Sequence, residues 1–178
     1  MIGRLHLLAL KTFQRLPVRA RRLVVRTIAP GFTVGAVCFI ERDDGAILLV
    51  KLSYRQRWGA PGGLLKRGED TVSAALREVR EEVGLAVELI GEPAVVVDPA
   101  AHRVDLVYRA RPAPGQDPDA ARPGSPEIVA ARWFPADELP ELQHEASGAL
   151  VALARSSRRP QAPALPDAER AGDAGAGR

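Results

Sequence analysis

The 178-residue sequence contains a single cysteine, Cys38. One cysteine excludes an internal disulfide framework and a cysteine-rich zinc site. Cys38 lies within the apolar run TVGAVCFI, so we expect it to be a buried structural thiol. Apolar runs are also short, and none approaches the roughly 18 residues that a membrane-spanning helix needs. The first residues lack a cleavage-like site and do not resemble a signal peptide, so we expect a cytoplasmic protein.

Acidic residues are absent from residues 1–28, which carry seven lysines and arginines. Residues 29–155 hold 14 basic and 19 acidic residues and are therefore net acidic, whereas residues 156–178 have a net charge of +1. The high isoelectric point thus belongs mainly to the N-terminal arm, and it does not indicate nucleic-acid binding by the whole domain. We predict a basic, helical arm over residues 1–28, one folded domain over 29–155 and a disordered Pro/Ala/Gly-rich tail over 156–178.

The order of the predicted elements indicates a single α/β domain with a mixed sheet. Residues 2–16 have an irregular helical periodicity that ends at Pro17. Two apolar runs separated by RDDG, TVGAVCFIE and AILLVKL, predict an antiparallel hairpin. Residues 57–68 read as a Gly/Pro-rich loop, and residues 70–83 as a helix ended by Gly84.

Three strands and a closing helix are predicted after this helix. The strands are AVELIGEPAVVVD, with a break at GEP, then RVDLVYRAR and EIVAARWF. The segment between the last two strands is rich in Pro, Gly and Asp and predicts a flexible loop. Trp133 and Phe134 read as core residues, and Asp98 and Asp105 as solvated strand ends. The three histidines, His6, His102 and His144, lack metal-ligand spacing.

The helix over residues 70–83 combines an apolar stripe with a crowded acidic face. At 100° per residue the stripe consists of Val72, Ala75, Leu76, Val79 and Val83. Glu78 and Glu82 are four residues apart, so their carboxylates point at the same region of space, and Glu81 adjoins them. Hard divalent cations such as Mg²⁺ prefer clustered oxygen ligands of this kind. A solvated acidic face is the alternative interpretation of three helical glutamates.

The surrounding residues favour the metal-binding interpretation. From Gly63 the sequence places Glu69, then Arg77-Glu78-Val79, then Glu81-Glu82, and finally Gly84-Leu85. This pattern resembles the Nudix box, the signature of the Nudix hydrolases, at every defined position. The resemblance extends over roughly residues 33–140 and implies a Nudix-type α/β/α sandwich around a mixed sheet.

The resemblance also implies roles for individual residues. Glu78 and Glu82 would be the principal ligands of Mg²⁺ or Mn²⁺, and Glu81 would share that role or hold a metal-bound water. Glu69 would act through water or cap the helix, and Arg77 would orient a glutamate. Gly62 and Gly63 would let the backbone turn tightly beside the substrate phosphates.

The implied reaction is the hydrolysis of a diphosphate linkage in a nucleoside diphosphate derivative. The resemblance places a candidate general base at Glu127, and a solvated strand-end carboxylate is the alternative interpretation. Aromatic and guanidinium groups suited to a base or a phosphate precede the box, at Tyr54, Arg55, Arg57 and Trp58.

Pro99 and Pro93 miss the spacing that marks ADP-ribose hydrolases within the family, so the resemblance does not single out one substrate. ADP-ribose-like compounds and nucleoside di- or triphosphates are both compatible with the sequence. A nucleotide-binding module without activity is an alternative, although such modules usually lack box glutamates. The basic arm suits RNA 5′ ends or an anionic membrane surface, and packing on the domain or in a homodimer is its simpler interpretation.

Overall fold

A computed structural model describes residues 7, 11–29 and 31–156. Its helices are α1 (Val18–Ile28), α2 (Thr71–Val83) and α3 (His144–Ser156). Its strands are β1 (Thr33–Glu41), β2 (Ile47–Leu52), β3 (Gly62–Leu64), β4 (Val87–Asp98), β5 (Arg103–Pro112) and β6 (Ile128–Phe134). Within these residues no helix is long and apolar enough to cross a membrane.

The terminal predictions are tested only in part. Residues 11–15 and 18–28 of the arm are helical, whereas residues 1–6 and 8–10 lie outside the described part. The predicted disordered tail also falls outside it, apart from Ser156, which ends α3.

The six strands form one mixed sheet with the order β4-β5-β1-β2-β6, and β3 also pairs with β1. Strand β1 is antiparallel to β2 and β3 but parallel to β5. The predicted β1–β2 hairpin is confirmed, and its turn closes with a hydrogen bond from the Arg42 amide to the Ala46 carbonyl. Mixed pairing follows because the chain leaves β1 for a hairpin and returns beside it only after α2 and β4.

Each face of the sheet is covered by one helix, which gives an α/β/α sandwich. On one face α2 buries Ala74, Ala75, Val79 and Val83 against Cys38, Ile40 and Leu48. On the other face α3 buries Ala149 and Leu153 against Phe39, Leu49 and Val107. The two sets alternate along β1, as the two-residue period of a strand requires. The predicted α/β sandwich is confirmed.

Individual core predictions have mixed outcomes. Cys38 is fully buried, and burial raises the pKa of its thiol to about 12. Trp133 and Phe134 are partly buried and pack against the two cores. Val72 is 45% exposed, so its place in the buried stripe is wrong, and Ala74 is buried instead.

The predicted loop over residues 57–68 contains strand β3. Ala36 pairs with Gly63 and Val37 with Gly62, and a Cβ at Gly62 would overlap the carbonyl oxygen of Ala36. A glycine pair lacks the alternating pattern of a strand, so local sequence does not reveal it.

The predicted break within β4 is a bulge. The strand runs through Gly91, and its register with β5 shifts between Ile90 and Ala94. Gly91 has a φ of 66°, which accommodates the extra residues without ending the strand.

Candidate active site

Helix α2 is capped at both ends, and Gly84 ends it as its sequence predicts. Asp70 is the N-cap and accepts a hydrogen bond of 2.9 Å from the Ser73 amide. Gly84 ends the helix in the left-handed region with a φ of 71°. The alternative that Glu69 caps the helix is wrong, because Asp70 holds that position.

Arg77 links the carboxylates beside the helix. It donates to Glu69 over 2.7 and 2.9 Å, to Glu78 over 2.7 Å and to Glu81 over 3.1 Å. The Arg77 hydrogen bonds, together with one from the Lys66 amide, lower the pKa of Glu69 to about 2. The side chains of Arg77, Glu69 and Glu78 are only 14–18% exposed, so the guanidinium fixes both carboxylates in a sheltered position.

Glu82 faces the glycine turn from the same helix. Its carboxylate accepts a hydrogen bond of 3.0 Å from the Gly62 amide. Burial raises the pKa of Glu82 to about 7, despite that hydrogen bond, and the charges of Glu78, Glu127 and Glu81 act in the same direction. The negative charges of Glu78, Glu127 and Glu81 therefore all disfavour ionisation of Glu82.

Gly63 makes room for the acidic face. A Cβ at this position would lie 2.5 Å from the Glu78 carboxylate oxygen. Glycine leaves that space free for the Glu78 carboxylate, so the pair Gly62-Gly63 brings backbone and carboxylates into direct contact.

The chemistry of these side chains suits a hard divalent cation. All of the candidate metal ligands are carboxylate oxygens. A bound cation would reduce the electrostatic repulsion between these carboxylates. Among the described residues, no three His, Cys, Asp or Glu side chains are already grouped to hold an ion. The Glu78 carboxylate is paired with Arg77 in this arrangement. The donor chemistry of Glu78, Glu82 and Glu81 fits a hard divalent cation.

The segment that leads to Glu127 is attached to the C-terminal end of α2. The Arg122 amide donates to the Val83 carbonyl over 3.2 Å, and the Gly124 amide donates to the Glu82 carbonyl over 2.8 Å. A Cβ at Gly124 would lie 2.5 Å from the Glu81 carbonyl oxygen. The predicted flexible loop is therefore tethered to the helix. Sequence reasoning missed Gly124, because its glycine requirement comes from a contact with a distant helix.

The predicted substrate residues do not all lie together. Tyr54 is exposed, and its hydroxyl lies 3.4 Å from the Glu127 carboxylate. Arg57 pairs with Glu141 over 2.5 Å, and Arg55 approaches Glu145 at 3.8 Å.

Trp58 packs edge-to-face on Phe134, with ring centroids 4.9 Å apart, and belongs to the α3-side core. Tyr54 is thus beside Glu127, whereas Arg55, Arg57 and Trp58 contact the C-terminal part of the domain.

Comparison with known proteins agrees with this architecture. Residues 31–154 match the NUDIX domain model. A MutT-like protein of Streptomyces ambofaciens is 30% identical over 119 residues, which cover 67% of this chain and 74% of that protein. The human 8-oxo-dGDP phosphatase NUDT18 is 33% identical over 128 residues, which cover 70% of this chain but only 36% of that protein. The crystal structure of an ADP-ribose pyrophosphatase from Streptococcus suis superposes with a TM-score of 0.57 at 26% identity, covering 71% of this chain and 92% of that one.

The fold and the acidic helix define an α/β/α sandwich protein with a complete Nudix box. The chain belongs to the NUDIX domain family and is a Nudix hydrolase.

Proposed function

We propose that this protein hydrolyses the diphosphate linkage of a nucleoside diphosphate derivative and depends on a divalent cation, Mg²⁺ or Mn²⁺. The observation that carries the proposal is the Glu82 carboxylate, which is largely desolvated, accepts a hydrogen bond from the Gly62 amide and is acted on by the charges of Glu78, Glu127 and Glu81. Such crowding raises the energy of the metal-free site, and a cation with a bound diphosphate relieves it.

Different residues of the chain are proposed to bind the cation, to position its ligands and to accept the proton. Glu78, Glu82 and Glu81 would hold the cation, which neutralises charge on the diphosphate when bound. Arg77 keeps Glu69 and Glu78 in place and does not need to touch the substrate. The amide of Gly62 fixes the orientation of Glu82.

Glu127 is the proposed general base. Its charge acts on Glu82, and the Tyr54 hydroxyl lies beside it. In the proposed step a water oxygen forms a bond to one phosphorus, the bridging P–O bond breaks, and Glu127 takes the proton of the water. The products are two phosphate monoesters, or one monoester and phosphate.

Two relatives support the substrate class. One is an 8-oxo-dGDP phosphatase and the other an ADP-ribose pyrophosphatase, and both names refer to nucleoside diphosphate compounds. A small-molecule nucleotide is therefore the proposed substrate.

A substrate panel with Mg²⁺ or Mn²⁺ at mildly alkaline pH tests the proposal. The panel contains ADP-ribose, nucleotide sugars, nucleoside di- and triphosphates, their 8-oxoguanine forms and 5′-triphosphorylated RNA. We expect metal-dependent products from the wild-type protein and a loss of at least about 100-fold in kcat for Glu82→Gln. Glu138→Gln, an exposed glutamate outside the site, is the matched control and is expected to retain full activity.

Glu127→Gln tests the general base separately. We expect a fall in kcat of about 100-fold with little change in the cation concentration that gives half activity. Unchanged turnover would remove Glu127 from the mechanism, and no product with any substrate would favour a nucleotide-binding module.

A further inference from the structure

Helix α1 is an amphipathic helix that the rest of the described chain leaves largely uncovered. Its sequence, VRARRLVVRTI, holds four arginines and no acidic residue. Within the described residues, neither the sheet nor either of the other two helices packs extensively against it. Leu23 and Ile28 are 65% and 77% exposed. The helix therefore presents apolar surface that the folded domain does not bury.

The apolar residues share one side of the helix. At 100° per residue, counted from the first residue of α1, an arc between about 140° and 280° holds Ala20, Leu23, Val24 and Ile28. The one polar residue in this arc is Thr27, and its hydroxyl donates a hydrogen bond of 2.8 Å to the Val24 carbonyl. The hydroxyl proton is thus satisfied within the helix. This arc, called the apolar arc below, is contiguous and carries no charge, which is typical of a binding surface.

Basic side chains border the apolar arc on both sides. Arg19 and Arg22 fall at about 100° and 40°, and Arg21 falls at about 300°. None of these three arginines forms an ion pair with another described residue. Their long aliphatic stems can lie along an apolar surface while the guanidinium groups reach a polar layer.

Several arginines of the folded domain, by contrast, have carboxylate partners. Arg111 pairs with Glu88 over 3.0 Å, and Arg103 pairs with Asp105 over 2.8 Å. The Asp105 side chain is only 14% exposed, so its interpretation as a solvated strand end is wrong. The arm has no such internal partners among the described residues, and its positive charge is available to an external anion.

We propose that α1 binds the surface of an anionic lipid bilayer. The helix lies in the plane of the interface, with the apolar arc among the acyl chains and the bordering arginines on the phosphates of the headgroups. A bilayer offers apolar and negatively charged surface side by side, and α1 presents the complementary pair. This surface interaction is independent of the proposed hydrolysis.

The same observations favour a bilayer over the two other partners. A nucleic acid would match the arginines through its phosphates but would leave the apolar arc in water. Pairing with the arm of a second copy would cover the apolar arc, but it would bring together two segments of seven lysines and arginines each with no acidic residue.

Co-sedimentation of the full chain with lipid vesicles tests the proposal. We compare vesicles of phosphatidylcholine alone with vesicles that also contain phosphatidylglycerol. We expect at least about tenfold tighter binding to the anionic vesicles, and we expect this binding to weaken as the salt concentration rises. Equal binding to both kinds of vesicle, or binding to neither, would overturn the proposal.

Two double variants separate the apolar and the basic contributions. We expect Leu23→Ser with Ile28→Ser, and separately Arg19→Gln with Arg22→Gln, each to weaken binding to anionic vesicles by about tenfold or more. Loss in the arginine variant alone would indicate a general polyanion-binding arm and would overturn the proposal. A change from dimer to monomer in the Leu23/Ile28 variant without vesicles would assign the apolar arc to a second copy, with the same consequence.

Matched variants in the folded domain control for loss of apolar surface and of charge. Val97 and Val151 are 55% and 49% exposed, and Arg111 and Arg155 are exposed arginines. We expect Val97→Ser with Val151→Ser, and Arg111→Gln with Arg155→Gln, to bind anionic vesicles as the wild type does. Weakening by these variants equal to that of the α1 variants would overturn the proposal.

A fluorescent label distinguishes insertion from contact with the surface. Cys38 is fully buried, so a thiol-directed, environment-sensitive fluorophore can be placed selectively through Ile28→Cys or Arg19→Cys. We expect anionic vesicles to shift the emission to the blue in the Ile28→Cys protein and to leave it nearly unchanged in the Arg19→Cys protein. Equal spectra from the two positions would overturn the proposed orientation and with it the proposal.

Discussion

At the scale of single residues, Gly63 shows how a missing side chain supports a functional group. A Cβ here would lie 2.5 Å from a Glu78 carboxylate oxygen, closer than packed atoms allow. We expect Gly63→Ala to displace that carboxylate and to lower kcat by about 100-fold, since small misplacements have effects of this order. Because the Cβ would meet only the end of the flexible Glu78 side chain, we expect little change in the unfolding free energy.

Gly148→Ala is the matched glycine control for this measurement. Gly148 lies within α3, and a Cβ there meets nothing within 4 Å. We expect full activity and a gain of about 0.5–1 kcal/mol in denaturant unfolding, because alanine favours a helix interior. Full activity in Gly63→Ala would contradict the role assigned to the glycine turn.

Glu82 makes the stability of the metal-free protein depend on pH. Its pKa lies at about 7 in the folded chain against an ordinary 4.5, so the folded state holds the proton more tightly than the unfolded state. The stabilisation from that proton is complete below about pH 4.5 and is lost as the pH rises through about 7. We expect Tm in the presence of EDTA to fall by a few degrees over this range.

Glu82→Gln tests this pH dependence because it cannot ionise, and the fall in Tm should disappear in that variant. Glu69 has the opposite sign: Arg77 holds its pKa at about 2, so its contribution is lost only in acid. An unchanged decline of Tm in Glu82→Gln would show that another group causes it.

At the scale of elements, the two ends of α2 have different roles: the N-terminal end stabilises the helix, and the C-terminal end positions the segment that carries Glu127. Asp70 caps the N-terminal end through the Ser73 amide and hydroxyl, over 2.9 and 2.7 Å. We expect Asp70→Ala to lower the unfolding free energy by about 1 kcal/mol while kcat changes less than twofold, because the cap touches none of the box carboxylates. Urea unfolding and steady-state kinetics on the same preparation check both parts.

The C-terminal end of α2 holds the segment that carries Glu127. A Cβ at Gly124 would press on the Glu81 carbonyl oxygen, and the Gly124 amide bonds to the Glu82 carbonyl over 2.8 Å. We expect Gly124→Ala to shift Glu127 and to lower kcat by about tenfold or more. Similar effects on stability and activity in this variant and in Asp70→Ala would argue against separate tasks.

At the scale of the whole molecule, the basic arm and the acidic domain carry opposite net charges. Leu23, Val25 and Ile28 of α1 are each more than half exposed, so this apolar surface is not covered by the described residues. We expect deletion of residues 1–28 to leave kcat/KM on small nucleotides unchanged and the Tm within about 2 °C. Residues 29–155 contain every residue of the proposed site.

The same deletion distinguishes the proposed roles of the arm. Loss of activity on 5′-triphosphorylated RNA alone would favour an RNA-binding arm, and loss of co-sedimentation with anionic vesicles would favour a membrane-binding arm. A change from dimer to monomer would favour packing between two copies. Loss of activity on small nucleotides would contradict the independence of the domain.

The sequence by itself determined the features that depend on neighbours along the chain. The helix predicted over residues 70–83 and observed over 71–83, its Gly84 end and the shared direction of Glu78 and Glu82 follow from helical periodicity and capping. The family resemblance follows from spacing within the same segment. Local hydrogen bonds and i,i+4 contacts act over a few residues, so they leave a pattern that can be read directly.

Only the tertiary structure decided which distant residues meet. The pairing of β3 with β1, the tether from Gly124 to α2 and the place of the Arg103–Asp105 pair against Gly35 join segments far apart in the chain. The requirement for glycine at position 124 arises from a backbone oxygen brought close by folding, whereas glycines 35 and 63 leave room for the ends of the Asp105 and Glu78 side chains. No local pattern in the sequence predicts such contacts, because they depend on how elements distant in the chain pack against each other.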